Sequence, residues 1–240
     1  MALRVPTQAT SIGRNREYRR KMARTVTEVE TLRTERAGEK VDGRRASRER
    51  NRDAVVDALL DLYREGNVSP SADEVAMRSG LSRRSLFRYF DDLDDLCRAA
   101  IARQTQRAGH LIALKNMGEG SLANRITRLA AQRFELFEAI APAARVGRLR
   151  APYQLIVAED IRKSRGVLHR QVEQHFAREM DMMEPDHQRE TLAAADVVCS
   201  FESFDLLREA QGLSGNEYQR TIRRVLTALF QGTRQTKLES

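Results

Sequence analysis

Between Ser71 and Phe90 the chain reads SADEVAMRSGLSRRSLFRYF, and this run constrains the fold most because it marks the ends of two short helices. Ser71 and Glu74 have capping-box spacing, in which a hydroxyl and a carboxylate satisfy free backbone donors reciprocally, so a helix starts there. Val75, Ala76 and Ser79 turn toward a core, and Gly80 ends the element by taking a left-handed backbone conformation. Leu81 fills the corner, and Ser82 caps a second helix expected to run to Phe90. At about 100° per residue, Leu86, Phe90 and Leu93 share one side of it, opposite Arg84 and Arg88. The product is a helix-turn-helix that exposes Arg84, Ser85, Phe87 and Arg88, with Arg83 and Tyr89 at the flanks.

Such a unit lays its second helix into the major groove of duplex DNA while the first braces it across the backbone. Two arginines four residues apart present planar forks that match guanine O6 and N7. An ordinary solvated helix face also carries arginines. The capped helix-glycine-helix frame, and the absence of acidic residues from Leu81 to Phe90, favour the groove-facing reading.

At these residues the chain resembles the tetracycline-repressor (TetR) family. That family's pattern is an amphipathic helix ending in Gly, a capped helix ending Ala-Gly-Val-Ser, then Thr-Leu-Tyr-x-Tyr-Phe and a polar turn with Lys and Leu. Here Gly66, Ser79-Gly80-Leu81-Ser82, Ser85-Leu86-Phe87-Arg88-Tyr89-Phe90 and Asp91-Asp92-Leu93-Asp94-Asp95-Leu96 stand in those places. The resemblance implies phosphate contacts from Ser71 and Tyr89, and base and backbone contacts from Ser82, Arg83, Arg84, Ser85 and Phe87. One departure concerns the family lysine near the start of the fourth helix, where this chain has Leu93 among aspartates. A phosphate contact is lost there, and the carboxylates of Asp91, Asp92, Asp94 and Asp95 either repel DNA or favour the positive end of that helix.

Charge is distributed unevenly. The formal net charge is +8, but Met1 to Arg50 holds fourteen Lys plus Arg against seven Asp plus Glu, which leaves the remainder close to neutral. Residues 1–46 read as a basic, disordered extension, and Arg44, Arg45 and Arg48 stand directly before the DNA domain. An arm of this kind tracks phosphates or enters the minor groove; a merely solubilising leader is the other reading. The leader has no apolar signal core, and the chain has no apolar run long enough to span a bilayer, so a cytoplasmic, nucleoid-associated protein without membrane contact is expected. Cys97 and Cys199 fit a reducing compartment as buried thiols.

Helical periodicity and the lack of strand-like alternation predict an all-α fold. The boundaries are a helix-turn-helix domain over 47–108, a helical ligand-binding and dimerisation domain over 109–232, and a tail over 233–240. The first helix of the DNA domain carries the stripe Val55, Leu59, Leu62 with Val56, Leu60 and Tyr63. A fourth helix is expected from Leu93 to Lys115, interrupted at Gly118 and Gly120. Further helices are expected from Ser121 to a stop at Pro142, from Tyr153 to Met180 with a break near Gly166, from Asp186 to Gln211, and from Ser214 to Gln231.

The last two carry wide apolar stripes through Val197, Phe201 and Phe204, and through Tyr218, Ile222, Val225 and Leu229. The resemblance implies that these helices form a four-helix homodimer interface; packing inside one subunit is the alternative. It also implies a small-molecule inducer in the second domain, for which Phe134, Phe137, Tyr153, Phe176, Phe201 and Phe204 are candidate lining groups, with Arg133 and His175 as polar partners. No histidine pair has the spacing of a helical metal site, and no phosphate-cradling loop, nucleophile elbow or Cys-pair zinc motif is present, so neither an enzyme nor a bound cofactor or metal is expected.

The expected function is that of a homodimeric regulator binding a palindromic DNA operator, most simply a ligand-released repressor. An activator of the same family and a sequence-blind architectural protein are the alternatives.

Overall fold

A computed structural model describes residues 45–231, and every regular element among them is a helix. The first helix, α1 (45–64), buries Val55, Val56, Leu59, Leu60, Leu62 and Tyr63, the stripe expected from its spacing. Against it pack α2 (Ala72–Ser79) and α3 (Arg83–Leu86), with Val75, Leu86 and Phe90 in one apolar cluster. The Ser71 amide and hydroxyl both donate to Glu74 Oε2 at 2.7 Å, and the Glu74 amide donates back to Ser71 Oγ at 3.3 Å, completing the capping box. Gly80 has φ +71°, and its amide turns back to the carbonyls of Ala76 and Met77, so a side chain here would meet left-handed strain.

α3 is shorter than the expected helix to Phe90. After Leu86 the amides of Arg88 and Tyr89 donate to the carbonyls of Ser85 and Leu86, and these three-residue bonds tighten the chain into a turn. Leu86 and Phe90 both reach the core, so the tightened turn leaves the exposed side of the unit intact.

Next is α4 (Leu93–Arg107), capped by the Asp92 carboxylate, which accepts from the Asp95 amide at 2.6 Å. It stops well short of Lys115, and a single turn, α5 (Gly109–Ile112), follows. The carbonyls left free there are taken by side-chain amides. Gln132 Nε2 donates to Leu111 O at 2.6 Å, and Gln171 Nε2 to Ile112 O at 2.7 Å, so the break is held by tertiary hydrogen bonds rather than by a local stop signal.

The long helix α6 (Leu122–Arg150) corrects the expectation that Pro142 ends it. Phe137 and Ala141 lie in one apolar cluster while Ala143 and Val146 lie in another, so packing on both sides holds the helix through the proline. Gln104 Nε2 donates to Ala139 O at 2.6 Å, one residue after Glu138, whose carbonyl loses its helical donor at Pro142.

α7 (Leu155–His175) runs unbroken through Gly166 and ends at Phe176, before the one-turn α8 (Ala177–Met180). The helix expected over 186–211 is in three parts: α9 (Pro185–Val198), α10 (Phe201–Asp205) capped by Ser200, and a π-helical turn, Leu206–Ala210. The Ser203 hydroxyl takes the Val197 carbonyl at 2.6 Å, which satisfies the end of α9 at the break.

α11 (Gly215–Gln231) begins at a second capping box, where the Ser214 amide and hydroxyl donate to Glu217 Oε2 at 2.8 and 2.7 Å. Its inner side packs into a ring-rich core. Phe176 stacks on Phe230 with centroids 4.3 Å apart, and Phe137 meets Phe201 edge-on at 5.6 Å. The first residue of α11 has no room for a side chain, because a Cβ on Gly215 would lie 2.4 Å from Phe134 Cζ. Gly215→Ala is therefore expected to cost about 1–3 kcal/mol through displacement of that ring, read as a lower urea midpoint at unchanged slope.

Candidate nucleic-acid interface and ligand cleft

The exposed side of α3 and the turn after it carries Arg83, Arg84, Phe87 and Arg88, while Leu86 and Phe90 anchor the opposite side. Ser82 caps the helix by accepting from the Ser85 amide at 3.2 Å, so both hydroxyls sit at its exposed start. Arg88 Nη2 donates to the Tyr89 hydroxyl at 2.8 Å, which fixes both side chains. Arg83 lies 3.3 Å from the Asp73 carboxylate in a solvent-exposed pair, an interaction worth little. Arg84 forms no ion pair with any described residue, and the Phe87 ring is 41 % exposed. The surface offers guanidinium forks, hydroxyls and one apolar ring.

Arg45 and Arg48 are exposed on α1, where Arg45 pairs with Glu49 at 3.4 Å, whereas Arg44 lies outside the described residues, as do 1–43. The aspartates at the start of α4 are engaged within the protein: Asp92 caps it, Asp95 pairs with Arg98 at 3.4 Å, and Asp94 pairs with Arg150 of α6. Leu93 packs against the apolar cluster shared by α1, α2 and α3.

An open cleft of about 820 Å³ lies between α4, α6, α7 and the α9–α10 corner. Ile101, Phe137, Ile140, Ile161, Leu168 and Phe201 make its walls apolar. Gly147 lies on the same wall, where a Cβ would make ordinary contact with Ile101 at 3.7 Å and Ile161 at 3.9 Å. At the rim Arg148 lies 4.0 Å over the Phe201 ring and 2.7 Å from Glu202, which also pairs with Arg165. Burial pushes the Glu202 carboxyl up, but these two guanidinium groups outweigh it and hold its pKa below the usual value.

Of the six aromatic lining candidates, Phe137 and Phe201 face this cleft, and the other four lie elsewhere. Tyr153 is 89 % exposed, Phe176 is enclosed against Phe230, and Phe134 packs on Tyr218 and Phe204. Phe204 likewise belongs to the ring cluster. His175 is a structural tie rather than a ligand partner. The Gly118 amide donates to its Nδ1 and its Nε2–H donates to Arg125 O, each at 3.0 Å, so the imidazole is neutral and burial lowers its pKa.

No family model matches the chain, and no curated protein matches it in sequence. Solved structures do. A tetR-family transcriptional regulator from Streptomyces coelicolor superposes with a TM-score of 0.59 at 18 % identity, covering 77 % of this chain and 82 % of that one. The chain has the TetR-family fold. A transcriptional regulator from Rhodococcus sp. Rha1 gives a TM-score of 0.59 at 17 % identity over 75 % of this chain and 96 % of its own. The multidrug binding protein EbrR, solved with imidazole, gives 0.52 at 19 % identity over 75 % and 94 %.

Within this TetR fold the apolar stripes of the C-terminal helices face two ways. Phe201, Phe204, Tyr218 and Ile222 are buried inside the single subunit, which corrects their assignment to a face offered to a mate. Val197 is 64 % exposed at the cleft, and Val225 and Leu229 are half-buried. Sequence reading missed Ile101, Ile140, Gly147 and Ile161. Each is an ordinary core-facing residue of its own helix, and only the packing of four helices leaves space between them.

Proposed function

We propose that this protein is a sequence-reading DNA-binding regulator that works as a homodimer and is released from its operator by a small molecule. The observation that carries this reading is the cationic side of α3, seated by Leu86 and Phe90 and set in a TetR-like fold. In it, Arg84 and Arg88 read base edges, Ser85 and Phe87 contact bases and backbone, and Ser71, Ser82, Arg83 and Tyr89 hold phosphates. One such helix reads few base pairs. A two-fold pair about 34–36 Å apart reads a palindrome, and that pairing is assigned to α11 through Val225 and Leu229, both half-buried within one subunit.

The cleft gives the effector a place, and α4 gives the coupling a route. α4 supplies Ile101 to the cleft wall and Leu96, Cys97 and Ala100 to the core under the recognition unit. Asp57 of α1 receives Arg103 at 2.8 Å and Arg107 at 2.7 Å, so α4 is tied to α1 by charge as well as by packing. A ligand shifts the equilibrium only if it prefers the arrangement that fits DNA poorly.

The test begins with selection of bound genomic fragments, followed by competition against scrambled duplex at two salt concentrations. A specificity ratio near one would replace the regulator with an architectural protein. Removal of residues 1–43 is expected to weaken binding to all duplexes alike and to flatten the salt dependence, because that segment carries ten Lys plus Arg. A deletion that altered specificity alone would overturn this division of labour.

A further inference from the structure

Every ionised side chain on the cleft wall already has a partner. Arg98 pairs with Asp95 at 3.4 Å, Lys163 with Asp160 at 3.7 Å, and Asp196 with His169 at 3.3 Å. Glu202 serves two cations, since its Oε1 accepts from Arg148 Nε at 2.7 Å and from Arg165 Nη2. The neutral donors are committed as well. Gln104 Nε2 donates to Ala139 O at 2.6 Å, the Thr105 hydroxyl to Ile101 O at 2.9 Å, and the Ser200 hydroxyl to Ser203 Oγ at 3.4 Å. Gln106 and Ser164, the other amide and hydroxyl side chains on the wall, are exposed to solvent. The Cys199 thiol stays protonated, because burial pushes its pKa up to about 12.

The balance at Glu202 decides what a ligand meets. Arg148 lies on the apolar wall itself: its guanidinium carbon is 4.0 Å over the Phe201 ring, and Phe201 meets Phe137 edge-on at 5.6 Å. Without the Glu202 carboxylate, two guanidinium groups would stand unopposed beside that ring pair and hold an anionic head group. With it, a charged ligand leaves water for apolar walls and gains no free counterion, a transfer that is costly for either sign. An uncharged ligand meets no such cost, and a cleft of about 820 Å³ accommodates one of ordinary small-molecule size.

We infer that the cleft takes an uncharged, largely apolar molecule, and that Glu202 sets this preference by neutralising Arg148 and Arg165 on the cleft wall. This rests on the reading of the cleft as the effector site and adds the chemical class of the effector together with the residue that selects it. Glu202 touches the two cations and not the ligand, so it is a specificity-determining residue that acts through Arg148 and Arg165.

Pyrene, 1-pyrenesulfonate and 1-pyrenemethylamine share one apolar body and differ in charge. Titrated against the full chain and followed by probe emission, pyrene is expected to bind about tenfold or more tightly than either charged relative. The chain has no tryptophan, so Val197→Trp, at an exposed position on the cleft wall, adds a lone donor whose emission is quenched by a probe in the cleft. Glu202→Gln should raise the affinity for the sulfonate about tenfold and change that for pyrene less than about twofold. If Glu202→Gln does not fold, Arg148→Gln reads the same balance from the other side and should raise the affinity for the ammonium instead. Wild-type binding of either charged probe as tight as that of pyrene overturns the chemical class and leaves the cleft standing. Charge preferences that neither substitution moves overturn the role of Glu202. Failure of all three probes to quench the introduced tryptophan overturns the effector-site reading as well, whatever the DNA measurements give.

Discussion

Replacing both Arg84 and Arg88 by alanine is expected to erase most of the discrimination between operator and scrambled duplex while leaving the fold intact. A well-formed arginine fork on a guanine contributes about 1–3 kcal/mol of base discrimination, so each single change lowers the specificity ratio by about five- to 150-fold. The double change approaches the product if the two read separate bases. Arg84 forms no ion pair with any described residue, whereas Arg88 donates to the Tyr89 hydroxyl at 2.8 Å and lies 5.1 Å over its ring. Arg88 is thus already oriented. Its loss should also loosen Tyr89 and weaken binding to every duplex somewhat, while loss of Arg84 acts on specificity alone. Both side chains are exposed, so thermal stability should change by no more than about 0.5 kcal/mol. Arg84→Lys should fail to restore specificity, because an ammonium lacks the two-pronged geometry. Competition binding checks this, and a double variant with the wild-type ratio would remove α3 as the reading element.

The helix-turn-helix was legible because its punctuation is local. Ser71 with Glu74, Gly80, and Ser82 each act within a few residues, and each is found in the role its chemistry dictates. The segments after α4 were legible as helices but not in their boundaries. Pro142 reads as a stop on local grounds, yet the flanking Phe137, Ala141, Ala143 and Val146 are all buried, and packing outweighs the lost backbone bond. The break at Cys199 and Ser200 carries no Gly or Pro; only the Ser200 and Ser203 hydroxyls, which satisfy the freed groups, mark it. Amphipathic stripes were visible, but a stripe does not say whether its partner is the same chain or another. For Tyr218 and Ile222 the partner is the same chain. The cleft was the least legible feature, because a cavity is a property of four helices together and of none singly.

Removing one member of the buried pair between Arg125 and Glu179 is expected to be the most damaging change to stability, and removing both far less so. The two side chains are 2 % and 7 % exposed, and Arg125 Nη1 also donates to His175 O at 2.8 Å, tying α6 to the end of α7. Because Arg125 O accepts from the His175 ring and the ring accepts from Gly118, the same network fixes the loop before α6. Arg125→Met leaves a carboxylate buried with no cation and the His175 carbonyl without its donor. Such a loss costs about 3–5 kcal/mol, and at this chain length it lowers the midpoint of thermal unfolding by roughly 10 °C. Glu179→Met strands the guanidinium in the same way. The double variant replaces two desolvated charges by apolar groups of similar length, an exchange that in buried pairs is often neutral or favourable, so it should recover most of what either single change loses. Urea and thermal unfolding of the four proteins close the cycle. If the two single losses simply add in the double variant, the pair is not coupled and the tie between α6 and α7 depends on packing alone. If coupling is found, the charges contribute less to net stability than to a unique register of α6 on α7, the two helices that bring Arg133 and Gln171 together.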